Sequence, residues 1–126
     1  MITIEYDGEP QRKERPRFNT KTGHAFTPRK TKDAEERIAQ YARYQNVGAE
    51  LPLDGELAIT LSFRTTHDGS NPIGRIDIDN ATKLVMDALN GVIWHDDWQI
   101  SELYASLVRG ADEGFTRVTI RQLHRD

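Results

Sequence analysis

The sequence contains no cysteine. That excludes a disulfide scaffold, a thiolate metal site and a cysteine nucleophile, and it fits a reducing compartment. No apolar run approaches the ~20 residues of a membrane span. The opening MITIEYDGEP lacks the basic start and apolar centre of a secretion signal. HExxH, GxSxG and P-loop patterns are missing too, and His24, His67, His95 and His124 are scattered. Internal repeats and low-complexity tails are also lacking. The expectation is a soluble, cytoplasmic protein with no membrane partner. Its 126 residues suffice for one domain over 1–126, large enough to bury roughly 65–70% of its unfolded surface without staples.

The charge that is present is unevenly spread. The net charge is −3, yet residues 12–32 hold Arg12, Lys13, Arg15, Arg17, Lys21, Arg29, Lys30 and Lys32 against Glu14 alone, or +7. The remainder must carry −10. Residues 77–102 hold Asp77, Asp79, Asp87, Asp96, Asp97 and Glu102 against Lys83, or −5. A basic segment beside an acidic cluster suits a protein that grips a phosphate backbone and holds a cation. A solvated basic loop beside an acidic surface is the plainer account of the same numbers.

Periodicity predicts about four strands and two helices. Residues 2–6, 56–65, 100–110 and 115–123 alternate apolar with polar side chains, as half-buried strands do. ADEG (111–114) is expected to join the last two strands as a hairpin. Thr31 is the expected cap of a helix running to about Val47, with Ala34, Ile38, Tyr41 and Ala42 on one face and Gly48 as the stop. Residues 7–30 form a long polar connection broken by Gly8, Pro10, Pro16, Gly23 and Pro28. In it, Phe18 and Phe26 alternate with cations, as on a backbone-gripping surface. For the two rings alone, anchorage to the core is the expectation. Elements not in strict alternation predict an α+β fold: a small mixed or antiparallel sheet of about four strands, with helices on one face.

The acidic stretch reads RIDIDNATKLVMDALNGVIWHDDWQISE. If residues 76–79 are extended, Ile76 and Ile78 face one way and Asp77 and Asp79 the other. Adjacent carboxylates repel unless a cation or proton lies between them. A helix over about 80–90 follows, closed by Gly91. Its apolar stripe is Ala81, Leu84, Val85, Ala88 and Leu89, which leaves Asp79, Lys83 and Asp87 opposite. Trp94 and Trp98 frame Asp96 and Asp97, so that turn is expected to aim an aspartate back at the strand end. Oxygen-only ligands favour a hard cation such as Mg²⁺ or Mn²⁺. Such an ion polarises a phosphoryl oxygen and activates water, and Lys83 would stabilise charge on the phosphate. A calcium EF-hand is excluded, because Thr82 and Ala88 stand where that loop needs Gly and Glu. Each residue also has a structural account: a helix cap, i, i+4 ion pairs, or ordinary turn aspartates. None of these explains why the groups fall so close together.

DIDNATKLVMDALNGVIWHDDWQI resembles the signature of the RusA family of Holliday-junction resolvases: D-x-D-N-x-x-K, then D-A-L-N-G, then D-D-x-Q-[IV]. RPRF and FTP before the first helix resemble that family's opening. The resemblance implies a small, homodimeric, Mg²⁺-dependent endonuclease of a bacterial or phage-infected cell. It would nick four-way DNA junctions in symmetric pairs. Asp77, Asp79 and Asp97 would be the catalytic, metal-binding carboxylates, with Lys83 catalytic and Asp96 and Asp87 on further acidic positions of the motif. The cations expected to meet DNA are Arg12, Lys13, Arg15, Arg17, Arg29, Lys30 and Arg75. The alternatives are a metal-dependent nuclease for forks or flaps and a non-catalytic junction-binding phage protein.

Overall fold

The computed structural model describes residues 1–13 and 17–124. In chain order the elements are β1 (Ile2–Asp7), β2 (Arg17–Asn19), β3 (His24–Phe26), α1 (Arg29–Gln45), β4 (Leu57–Arg64), α2 (Ile78–Leu89), a 3₁₀ turn (Asp97–Gln99), β5 (Ile100–Val108) and β6 (Phe115–Gln122). Four strands make one mixed sheet in the order β1-β6-β4-β5. This is the α+β arrangement expected, with α1 and α2 packed together against the sheet through one apolar cluster.

β4 lies inside the sheet because its residues tolerate no water. Leu57, Ala58, Ile59, Leu61 and Phe63 are all buried. β4 pairs in parallel with β5 on one side and antiparallel with β6 on the other. This overturns the hairpin expected at 111–114. β5 and β6 flank β4 and do not pair with each other. Neighbouring strands in sequence usually neighbour in space, but here both edges of the most apolar strand had to be covered. β5, by contrast, is an edge strand, with Leu103, Tyr104 and Val108 about half exposed. On the far edge, the Gln45 amide at the end of α1 accepts from the Glu5 N–H (2.8 Å) and donates to the Glu5 carbonyl (2.6 Å). A side chain thereby occupies part of an otherwise open strand edge.

Both helices start earlier than expected, α1 by three residues and α2 by about two. α1 begins at Arg29, with Pro28 as the cap residue. The Pro28 carbonyl accepts the Thr31 and Lys32 N–H groups (3.1 and 3.2 Å). Proline presets φ near its helical value and has no N–H to lose. Thr31 is then buried inside the first turn rather than capping it. α2 begins at Ile78, with Asp77 as its extended cap residue. Residues 76–79 therefore do not form a strand, and Asp79 sits in the first helical turn. Four alternating residues are too few to fix a strand against a following apolar stripe at helical spacing.

The long connection at 7–30 contains a small hairpin, β2 paired with β3. Its turn is built locally. The Asn19 carboxamide oxygen accepts from the Lys21 and Thr22 N–H groups (2.9 and 3.3 Å), and the Gly23 N–H returns to the Asn19 carbonyl (2.8 Å). Gly23 has φ of +73°, which a side chain would resist. Phe18 and Phe26 are exposed here, contrary to the expected core anchorage. β2 and β3 form a separate three-residue ribbon outside the four-stranded sheet, too short to bury the two rings. Among the described residues, no helix is long and apolar enough to cross a membrane.

Candidate active site

The β4–α2–β5 crossover decides where the acidic residues stand. α2 runs back along the sheet from the far end of β4, and β5 then starts beside the near end of β4. The N-terminus of α2 holds Asp77 and Asp79, both exposed. It is tied to the end of β5, where the Arg109 guanidinium donates to the Ile76 carbonyl (3.0 Å). Asp96 and Asp97 lie just before the start of β5. β5 has nine residues, and strands rise about 3.3 Å per residue, so the two pairs stand at opposite ends of a strand roughly 26–30 Å long. One protomer does not bring Asp97 to Asp77 and Asp79, and the aspartate turn does not aim back as expected. Among the described residues, no three acidic or histidine side chains converge as a metal cage.

The Asp77–Asp79 end still has the donor chemistry a hard cation uses. Asp79 Oδ1 accepts the Asn80 N–H (2.9 Å), while the Asp77 carbonyl accepts the Ala81 N–H (3.0 Å) and starts the helix. The four leading N–H groups of a helix favour negative charge there. Lys83 is exposed one turn along α2. No ion pair among the described residues joins it to Asp79 or Asp87. Asp87 pairs instead with Lys13 Nζ. Hydrogen bonding to Asp87 raises the Lys13 pKa, while burial between the helices raises that of nearby Glu35. Lys13 thus bolts the 9–13 segment onto α2, helped by its backbone N–H to the Asn80 carbonyl (3.3 Å).

Three expected DNA-binding cations share one groove. Arg12, Lys30 and Arg75 line a cleft of about 310 Å³ with Glu9, Thr66, His67 and Ile76. Ile76 adjoins Asp77, so this cationic groove opens beside the acidic pair. The loop forming its wall is braced from inside. Arg75 Nε donates to the Gly69 carbonyl (2.8 Å). His67 Nδ1 accepts the Gly69 N–H (2.9 Å), and His67 Nε2 meets the Ile73 carbonyl (3.0 Å). With Nδ1 accepting, the Ile73 carbonyl assigns the donor role to Nε2. Glu9 accepts from both Thr65 and Thr66 hydroxyls (2.6 and 2.5 Å) and from the Thr66 N–H (2.9 Å). Burial opposes its charge, but these hydrogen bonds win and lower its pKa. Arg29 is exposed and 4.0 Å from Asp33. Arg17 opens β2, whereas Arg15 lies outside the described residues.

The Asp96–Asp97 turn is held by groups the charge pattern did not single out. Trp94 is fully buried, and its Nε1 donates to Asp97 Oδ1 (3.0 Å). Gln99 is the organiser. Its carbonyl oxygen accepts the His95 and Asp96 N–H groups (2.8 and 3.0 Å). Its amino group donates to the Leu53 and Gly55 carbonyls (both 2.9 Å). His95 Nε2 meets Asp54 Oδ1 at 2.8 Å. The D-D-x-Q spacing was the available signal for Gln99. Asp54, Leu53 and Gly55 had none, being more than 40 residues away in the chain.

A small α+β protein with paired carboxylates next in sequence to a groove lined by Arg12, Lys30 and Arg75 has a chemistry suited to a phosphate backbone and a hard cation. The chain belongs to the RusA family: the family model described as endodeoxyribonuclease RusA matches residues 7–121. No curated protein matches the chain. Membership supports a nuclease activity, the Holliday-junction resolvase function in general, branched-DNA binding and metal dependence.

Proposed function

We propose that this protein is a Mg²⁺-dependent, structure-selective endonuclease that resolves four-way DNA junctions by paired symmetric nicks, acting as a homodimer. The observation that carries the reading is that exposed Asp77 and Asp79 follow directly on Arg75 and Ile76 of the groove shared with Arg12 and Lys30, with exposed Lys83 one turn further along α2. Mg²⁺ is commonly held by one or two carboxylates completed by water and substrate phosphate, which is what Asp77 and Asp79 offer. When bound, the ion would supply Lewis acidity and a more nucleophilic water. Mn²⁺, with the same oxygen preference, would substitute.

The chain's own residues have separable tasks. Asp77 and Asp79 fix the reaction centre at a helix terminus, where backbone geometry is rigid. Lys83 places a positive charge against the scissile phosphate. Arg12, Lys30 and Arg75, with Arg15, Arg17 and Arg29, hold flanking phosphates and set the register. The distance between Asp97 and Asp79 within one protomer favours a dimer. A second copy related by a two-fold axis would bring its own Asp96 and Asp97 to the first copy's Asp77 and Asp79. The exposed apolar edge of β5 is suited to such an interface. A two-fold dimer also matches a near-two-fold junction, with each protomer nicking one strand.

The test is incubation of purified protein with a labelled four-way junction and with the matching linear duplex, in Mg²⁺ and in EDTA, beside Asp79→Asn. Symmetric nicks on the junction alone, lost in EDTA and in the variant while binding persists, are expected. Equal cutting of forks would move the reading to a broader branched-DNA nuclease. Tight binding without cleavage in Mg²⁺ or Mn²⁺ would leave a non-catalytic junction binder.

A further inference from the structure

We propose that Trp98 and the pocket beside it bind an unpaired nucleobase of branched DNA next to Asp97, a role that rests on the junction-nuclease reading. Trp98 is 83% exposed, while the other tryptophan, Trp94, is 0% exposed. It stands on the 3₁₀ turn Asp97–Gln99, and that turn is not loose. Gln99 locks it through four hydrogen bonds to residues on both sides, and Trp94 holds Asp97 from beneath. The backbone that carries the indole is therefore fixed, and the ring is presented outward without the burial its large apolar surface would otherwise gain.

The adjoining cavity has a shape and charge that choose among ligands. It is about 370 Å³ and is lined by Asp54, Gly55, Glu56, His95, Trp98 and Gln99. That is within the usual size range of small-molecule pockets, roughly 300–1,000 Å³. Two carboxylates and no Lys or Arg line it, so a phosphate is disfavoured. A flat, uncharged ring carrying N–H donors suits it: the ring lies on the indole and the donors meet carboxylate oxygens. A nucleobase freed from its pair has this chemistry, and stacking on an aromatic accepts any base. Trp98 follows Asp97 directly, so in the proposed dimer, where Asp97 meets the other copy's Asp77 and Asp79, a base seated there stands next to the reaction centre and positions the strand for the nick.

The two tryptophans make a direct test, because acrylamide reaches exposed Trp98 and not buried Trp94. Binding of a labelled four-way junction in EDTA is followed by anisotropy. Acrylamide quenching is then measured on wild type with unlabelled junction at the saturating concentration so found. Protection of Trp98 at saturation is expected. Trp98→Ala is expected to weaken junction affinity about 5- to 100-fold and linear-duplex affinity less than twofold. Saturated junction with Trp98 still fully quenchable overturns the proposal and leaves the nuclease reading intact. Absence of junction binding overturns both. Protection that rises with protein concentration and ignores DNA assigns the face to contact between copies and overturns the base-binding role. The quenching result stands even if Trp98→Ala does not fold.

Discussion

Gln99→Leu is the perturbation whose cost can be worked most directly from the structure. Gln99 is 7% exposed, and its side chain makes four hydrogen bonds. Leucine has similar volume, so no sizeable cavity follows. What disappears is the fork that joins 53–55 to 95–96. Four bonds at about 0.5–1.5 kcal/mol each bound the loss at roughly 2–6 kcal/mol. His95 and Asp96 are exposed residues, and their N–H groups can recover water. The larger share therefore comes from the Leu53 and Gly55 carbonyls left facing leucine, and we expect about 2–3 kcal/mol. For a chain of this size that lowers Tm by about 8–12 °C. Urea and thermal unfolding followed by circular dichroism measure both quantities, with the m-value unchanged. Gln99→Glu keeps the two acceptor bonds but at neutral pH turns a buried carboxylate oxygen onto the Leu53 and Gly55 carbonyls, so it should cost at least as much as Gln99→Leu. A Tm within 2 °C of wild type for Gln99→Leu would refute the fork as the brace of the aspartate turn.

Other outcomes follow from single interactions. Glu9 has a folded pKa below the ordinary glutamate value of about 4.3. Its stabilisation is complete above that value and disappears as pH falls through the lower folded value. Glu9→Gln should flatten the acid limb of urea midpoints measured from pH 6 to pH 3, and a parallel limb would contradict this. A Cβ at Gly114 would stand 2.6 Å from Gly8 C and Glu9 N. Gly114→Ala should therefore cost about 1–3 kcal/mol by overpacking against backbone, and an unchanged urea midpoint would show that the turn yields. Replacing Arg12 or Lys30 by alanine should reduce the salt slope of junction binding by about 0.9 for each phosphate no longer neutralised. An unaltered slope removes that cation from the DNA interface.

Much of the fold was legible because the relevant patterns are local. Alternation at Leu57, Ile59, Leu61 and Phe63 marks a strand, and the stripe from Ala81 to Leu89 marks a helix, whatever surrounds them. The carboxylates and Lys83 were legible for the same reason, since their types and spacing need no partner to be recognised. Boundaries were less legible. Pro28 and Asp77 start helices through backbone geometry that competes with the nearby signals of Thr31 and Ile78.

The residue types at the site, the elements that carry them and the family to which the chain belongs can all be read in one dimension. How those parts meet is a matter of packing. Strand order depends on which strand buries most apolar surface, so β4 separates β5 from β6 and no hairpin forms. The parallel crossover then sends Asp77 and Asp79 to one end of the sheet and Asp96 and Asp97 to the other. Lys13 is taken up by Asp87, whereas Arg12, Lys30 and Arg75 gather beside Ile76. Gln99 reaches residues more than 40 positions away. None of these pairings is written in spacing along the chain, because each depends on how far an element travels before it turns.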